Sequence, residues 1–184
     1  MLKAKQVPLG IRLNNPGCMR ITKDRWQGLD VAETARNGKH FAFLEAVYGI
    51  RAIARALITY QDKRLAADGS KIDTVKEIIE RWAPSSENPT EHYIDFVRSR
   101  TGIYAGQHLD LHDFATAKAI VCGIIEFENG CQPYDDATIT KALVLAGLEP
   151  GKAPLAKSRT MKGGVVAMAA TGLAAVGDAA KDAA

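Results

Sequence analysis

The chain has 184 residues, of which 47% are hydrophobic and 24% charged, so it can build one core of roughly 150 residues with a tail to spare. Its formal charge of +3 is too small to mark a nucleic-acid binder, although it suits a protein that approaches an anionic surface. Cys18, Cys122 and Cys131 form no Cys-x-x-Cys pair and cannot all be paired within one chain, which argues against a disulfide framework and for synthesis in a reducing compartment.

The first 15 residues lack the apolar run of a secretory signal. From residue 8 to about 43 the chain is rich in Gly and Asn, with short apolar stretches at 19–21 and 41–43, and reads as loops with a small β-hairpin. Ile50, Ile53, Ala54, Leu57 and Ile58 then keep helical spacing, which predicts a core helix over about 47–64. Thr74 is placed to cap a short helix through Ile78, Ile79 and Trp82, ended by Pro84. Asn88-Pro89-Thr90-Glu91 supplies a cap residue, a first-position proline and a third-position glutamate for a helix carrying Tyr93, Ile94 and Val97. Further helices are expected over 113–129, stopped by Gly130, and over 136–146, stopped by Gly147. Residues 150–163 read as a linker and 164–184 as an Ala- and Gly-rich tail. The tail's uncharged run, 163–177, is shorter than the roughly 20 residues of a membrane span.

Along 113–129, Phe114, Ala117, Val121, Ile124 and Ile125 make one apolar stripe, and Phe114, Val121 and Glu128 are spaced by sevens. Glu128 is therefore expected on the buried face. Glu126, five residues past Val121, is turned about 140° from that line at about 100° per residue and is the expected surface charge. A carboxylate at the buried end of such a stripe is destabilised in its charged form, so its pKa rises. A carboxyl group that keeps its proton near neutrality is what general-acid catalysis at a glycosidic oxygen requires. The competing reading is a glutamate neutralised by Arg12, Arg20 or Arg51.

The run Ile124-Ile125-Glu126-Phe127-Glu128-Asn129-Gly130-Cys131-Gln132-Pro133-Tyr134 resembles the lytic-transglycosylase pattern. In that pattern a helix ends on the catalytic Glu, followed by a small polar residue, a glycine and an Asn-Pro turn. Asn129 stands where that family usually has Ser, and Gln132 where it often has Asn. A second resemblance runs from about residue 10 to 148. Gly10-Ile11-Arg12-Leu13-Asn14-Asn15-Pro16-Gly17-Cys18-Met19-Arg20, Trp26-Gln27-Gly28, Tyr48-Gly49-Ile50-Arg51-Ala52, the segment from Arg81 to Thr90 with Tyr93, and Glu128-Asn129-Gly130 are similar to motifs of phage virion-associated lysozyme-like proteins. The family pattern at the first of these is closer to RNNNPGNIR, from which Leu13, Cys18 and Met19 depart.

The resemblance implies an α+β, predominantly α fold: a lysozyme-like domain over residues 1–149, with the small hairpin near the N-terminus. It implies circular permutation as well, because the Glu-bearing helix comes late in the chain rather than first. The implied activity is cleavage of the β-1,4 bond between N-acetylmuramic acid and N-acetylglucosamine in peptidoglycan, by a lytic transglycosylase or muramidase. Glu128 would be the proton donor, and Glu87, in the loop between Pro84 and Pro89, the second candidate catalytic carboxylate. A helix-start acid stabilised by the dipole is the simpler account of Glu87.

Asn14, Asn15 and Arg20 offer donors to N-acetyl and carboxylate groups, Trp26 and Tyr93 offer faces for sugars, and Asn88 a further contact. Turn chemistry and capping are the alternatives for the asparagines, and core packing for the aromatics. No metal or cofactor is expected, since His108 and His112 supply two ligands without a third. The expected partners are peptidoglycan glycan strands and, for the tail, weak membrane or virion association; no nucleic acid is expected, and the chain is expected to act as a monomer. It is expected to be made in the bacterial cytoplasm and to reach the periplasmic wall by virion delivery or holin-type release. Two other functions compete: a non-catalytic phage virion structural or wall-binding protein, and a peptidoglycan endopeptidase, for which no metal or nucleophile signature stands out.

Overall fold

The computed structural model describes residues 7–86, 89–104 and 106–151. Glu87, Asn88, residues 152–163 of the expected linker and the whole expected tail lie outside the described residues. Seven helices form among the described ones: α1 (Leu9–Arg12), α2 (Val31–Asn37), α3 (Ala46–Lys63), α4 (Val75–Trp82), α5 (Thr90–Thr101), α6 (Phe114–Asn129) and α7 (Asp136–Leu145). The fold is predominantly helical, as expected.

The helix starts are set by short polar side chains that accept from the otherwise unpaired first-turn N–H groups. Thr74 and Glu77 make the reciprocal capping box of α4. Asp113 accepts from the Thr116 N–H and opens α6, and Asp135 does the same for α7 through Thr138. Helix α5 starts at Thr90, with Pro89 at the cap position and no side-chain cap bond, one residue later than the capping motif implied. The Thr90 hydroxyl instead donates to the Ala83 carbonyl at 2.6 Å and ties the start of α5 to the end of α4.

The expected hairpin near the N-terminus does not form. The region holds two isolated antiparallel bridges, Arg20 with His40 and Leu29 with Phe43, and α2 is inserted between them. Two asparagines brace the segments from the side. Asn15, fully buried, donates through Nδ2 to the Met19 carbonyl at 2.9 Å and the Phe41 carbonyl at 2.8 Å, and its Oδ1 accepts from the Met19 N–H at 3.0 Å. Asn14 donates to the carbonyls of Phe43 at 3.0 Å and Leu44 at 3.3 Å. The segments are also joined by backbone bonds, from the Ile21 N–H to the Lys39 carbonyl, the Phe41 N–H to the Met19 carbonyl and the Phe43 N–H to the Leu13 carbonyl, but these make isolated bridges and no continuous ladder. Asp30, which accepts from the Glu33 N–H, caps α2, and Gly38 ends it in the left-handed conformation.

The core lies between α3 and α6. Ile50, Ile53 and Leu57 from α3 pack with Val75, Ile78 and Ile79 from α4, Tyr93 and Val97 from α5, Ile120, Val121, Ile124 and Ile125 from α6, and Leu143 from α7. At about 1.5–3 kcal/mol for each large apolar side chain taken from water, this cluster is the main source of stability. A smaller cluster of Phe41, Phe43 and Ala52, with Met19, Trp26, Leu29 and Tyr48 against it, seats the N-terminal loops on α3. The connection from α5 to α6 is anchored by Gln61, buried at the end of α3, which donates to the Leu109 carbonyl and accepts from the Leu111 N–H, both at 2.8 Å.

Gly49 marks how closely the loop approaches α3. A Cβ there would stand 1.9 Å from the Asn14 carbonyl oxygen, which is backbone and cannot swing aside. Gly49→Ala should therefore lift the loop from the helix and cost about 1–3 kcal/mol, the usual range for overpacking. Thermal unfolding of the variant checks this; an unchanged melting temperature would show that the loop can shift freely.

Candidate active site

Helix α6 ends by turning Glu128 toward α5, where the Tyr93 hydroxyl donates to its Oε1 at 3.0 Å. Tyr93 is 1% exposed, and its ring stacks on Phe127 with centroids 3.6 Å apart and planes 15° apart. This stacking fixes the direction of the hydroxyl. The Trp82 side chain, at the end of α4, and the Cys18 thiol lie near enough to favour the charged carboxylate. One carboxyl group thus faces polar side chains from α5, α4 and the N-terminal loop.

Burial pushes the Glu128 carboxyl above its ordinary range, while the hydrogen bonds from Tyr93, Trp82 and Cys18 pull the other way; burial has the larger effect. The neighbours respond in kind. The Cys18 thiol is pushed up to about 11, chiefly by burial and then by the Glu128 charge. Tyr93 is pushed far above the usual phenol range by the same two causes. Both therefore keep their protons and act toward Glu128 as donors. None of the groups acting on its charge state is an arginine. Arg51, one of the three arginines considered, donates to the Leu145 carbonyl at 3.0 Å instead.

Glu126 behaves as its position on the helix implies, forming an ion pair with Arg100. A groove of about 340 Å³ lined by His92, Phe96, Glu126, Phe127 and Gly130 lies along the same face, and Glu128 is not among its walls. His108 and His112 turn to separate carboxylates, Asp73 and Asp62, each at 2.8 Å. Among the described residues no group of three or more His, Cys, Asp and Glu side chains is arranged to hold a metal ion.

Of the residues singled out in the sequence, the structure brings Glu128 and Tyr93 together. Asn14 and Asn15 direct their amides to the loop backbone. Arg20 is exposed and close enough to His40 to depress its basicity, after burial and Lys39. Trp26 packs in the small cluster, with its indole N–H buried and without a hydrogen-bond partner. Cys18 and Trp82 were legible only as parts of longer motifs, since nothing local announces that a loop cysteine and a helix-end tryptophan will meet a glutamate so far along the chain.

The raised Glu128 carboxyl has a consequence for stability. Between the ordinary carboxyl pKa and the raised folded value, the native state binds a proton that the unfolded state has released, so stability falls as pH rises through that window. Glu128→Gln removes the window. Its melting temperature should rise relative to wild type as pH goes from about 4 toward 8; a constant difference would contradict the raised carboxyl. Tyr93→Phe removes a donor to the carboxylate, so NMR titration should find the Glu128 midpoint higher still. A midpoint that stays in place would show that the 3.0 Å contact has no electrostatic weight.

No protein-family profile matches the chain. Over 138 residues it is 38% identical to Protein P5 of Pseudoalteromonas phage PM2, an alignment that covers 72% of this chain and 78% of that protein. The chain belongs to the same family as this phage protein.

Proposed function

We propose that the chain cuts the glycan strands of bacterial peptidoglycan on a circularly permuted, lysozyme-like helical domain, with Glu128 as the proton donor. The observation that carries this reading is a carboxyl group raised by burial and aimed by Tyr93 at the end of α6. Glu128 would protonate the glycosidic oxygen as the bond to the muramoyl C1 breaks. The muramoyl 6-hydroxyl then attacks C1 and returns its proton to the Glu128 carboxylate, leaving a 1,6-anhydro end. Tyr93, Trp82 and Cys18 would stabilise the carboxylate in the interval.

A hydrolase would use water in place of the 6-hydroxyl, usually with a second carboxylate across the cleft. The intramolecular route asks for no such partner, and none of the three side chains acting on Glu128 is a carboxylic acid. The reading therefore favours a lytic transglycosylase. The substrate lies in the periplasm, so the protein would be carried by a virion or released at lysis.

A second reading, a phage virion structural or wall-binding protein without turnover, is favoured by one observation: the groove beside α6 is walled by Glu126 and not by Glu128. Digestion of purified peptidoglycan followed by mass spectrometry separates the two. Anhydromuramic ends are expected; reducing ends would mean a hydrolase, new peptide termini an endopeptidase, and no products the structural role. Glu128→Gln should lose at least about 100-fold in rate, and Glu126→Gln, which alters only the pair with Arg100, should keep wild-type activity. If Glu128→Gln retains more than about a tenth of the rate, against that expected loss, Glu128 is not the acid and Glu87 becomes the candidate.

A further inference from the structure

Helix α5 buries Tyr93, Ile94 and Val97 in the core, and a different set of residues faces outward. Asp95, Arg98, Ser99 and Gly102 recur at helical spacing and share that outer stripe. At Gly102, with φ 72°, the chain turns back, and Ile103 and Tyr104 complete a pocket of about 400 Å³ over the stripe. Two opposite charges stand side by side in it. Arg98 donates through Nη1 to Asp95 Oδ1 at 3.1 Å, and the Asp95 side chain remains 71% exposed. The Arg98 Nε–H is buried and, among the described residues, has no acceptor. A buried donor left unmade is costly, so this edge of the guanidinium is where an incoming acceptor gains most. The Ser99 hydroxyl gives its proton to the Phe96 carbonyl at 2.8 Å, which leaves its oxygen able to accept.

A plain anion entering this pocket is repelled by Asp95, and a plain cation by Arg98. A ligand with both charges on neighbouring atoms meets neither penalty. We propose that the pocket binds an α-amino-acid zwitterion, its carboxylate along the Nε edge of Arg98 and its ammonium against Asp95 and the Ser99 oxygen. The four charges then alternate, and the carboxylate supplies the acceptor that the Nε–H lacks. The C-terminal end of α5 adds partial negative charge favourable to the ammonium. The Tyr104 side chain, in a residue 67% exposed, offers a ring face to the ammonium or to the aliphatic chain behind it. The identity of the ligand rests on peptidoglycan being the substrate: it is the free amino-acid head that a diamino diacid residue presents in an uncross-linked wall peptide. The pocket would hold the peptide stem, while Glu128 acts on the glycan.

The test is a titration of the full chain with meso-diaminopimelate, read by NMR at the Arg98 Nε–H. Pimelate, which has the carboxylates alone, and cadaverine, which has the ammonium groups alone, serve as comparison compounds. Diaminopimelate should move the Nε–H resonance downfield with a Kd on the order of 1 mM, and both comparison compounds should bind at least about tenfold more weakly. Equal binding of pimelate would make this a plain anion site, and equal binding of cadaverine a plain cation site; either result, or no shift with diaminopimelate, overturns the proposal. Arg98→Gln and Asp95→Asn should each weaken binding by about tenfold or more, and unchanged binding in either overturns it as well. The comparison of compounds uses the wild-type chain and decides the matter should a variant fail to fold. Binding by a chain that releases no glycan products would uphold the pocket and overturn the enzymatic reading alone. Cleavage without binding would overturn the pocket alone.

Discussion

The amide of Asn129 joins two stretches of chain that are 113 residues apart. Its Nδ2 donates at 2.8 Å both to the Pro16 carbonyl, in the N-terminal loop, and to the Ile125 carbonyl, one turn back in α6. Both amide protons are thereby satisfied, while the Oδ1 is buried without a partner among the described residues. The bond sets the loop from Gly10 to Cys18 against the last turn of α6, which is why Cys18 meets Glu128. It also explains why Gly10 has no room for a side chain. Asn14 and Asn15 extend the same logic outward, holding the loop to residues 41–44 where a sheet would otherwise be needed.

Glu128 sits under opposing influences. Burial disfavours its charge, and three donors from three parts of the chain favour it. Glu126, two residues earlier, is paired with Arg100 instead. Keeping a carboxyl raised by burial lowers stability at neutral pH, a pattern found where activity and stability compete. The aromatic packing of Tyr93 on Phe127 keeps the arrangement rigid, and rigidity matters because a donor's effect on a carboxylate depends steeply on distance and angle.

The two helices that carry Tyr93 and Glu128 are joined by a connection without regular structure, yet their relative placement is well defined. Gln61 satisfies the backbone of that connection from inside, and the pairs His108 with Asp73 and His112 with Asp62 hold it from outside. A Cβ added at Gly123 of α6 would meet Val97 of α5 at ordinary van der Waals distance, so the helices lie side by side there without needing a glycine. Family membership places the chain among phage proteins; the proposed chemistry comes from this local geometry.

Several features could be read from residues alone because their causes are local. Helix α6 follows from its apolar stripe, its Asp113 cap and its Gly130 stop; at about 100° per residue Glu126 and Glu128 point different ways, one to Arg100 and the other to Tyr93, and both are partly buried. The capping box of α4 is likewise a matter of residues three apart. The hairpin expected near the N-terminus is reduced to isolated bridges, with the capped helix α2 inserted between its halves and the Asn14 and Asn15 amides on the carbonyls of Phe43 and Phe41, and spacing does not reveal those partners. The roles of Asn14 and Asn15 as staples, and the meeting of Cys18, Trp82, Tyr93 and Glu128, were decided by tertiary structure. The contacts to Glu128 span from 35 residues, for Tyr93, to more than a hundred, for Cys18, and such partners are chosen by how the helices pack around α3 and α6, which no local pattern encodes.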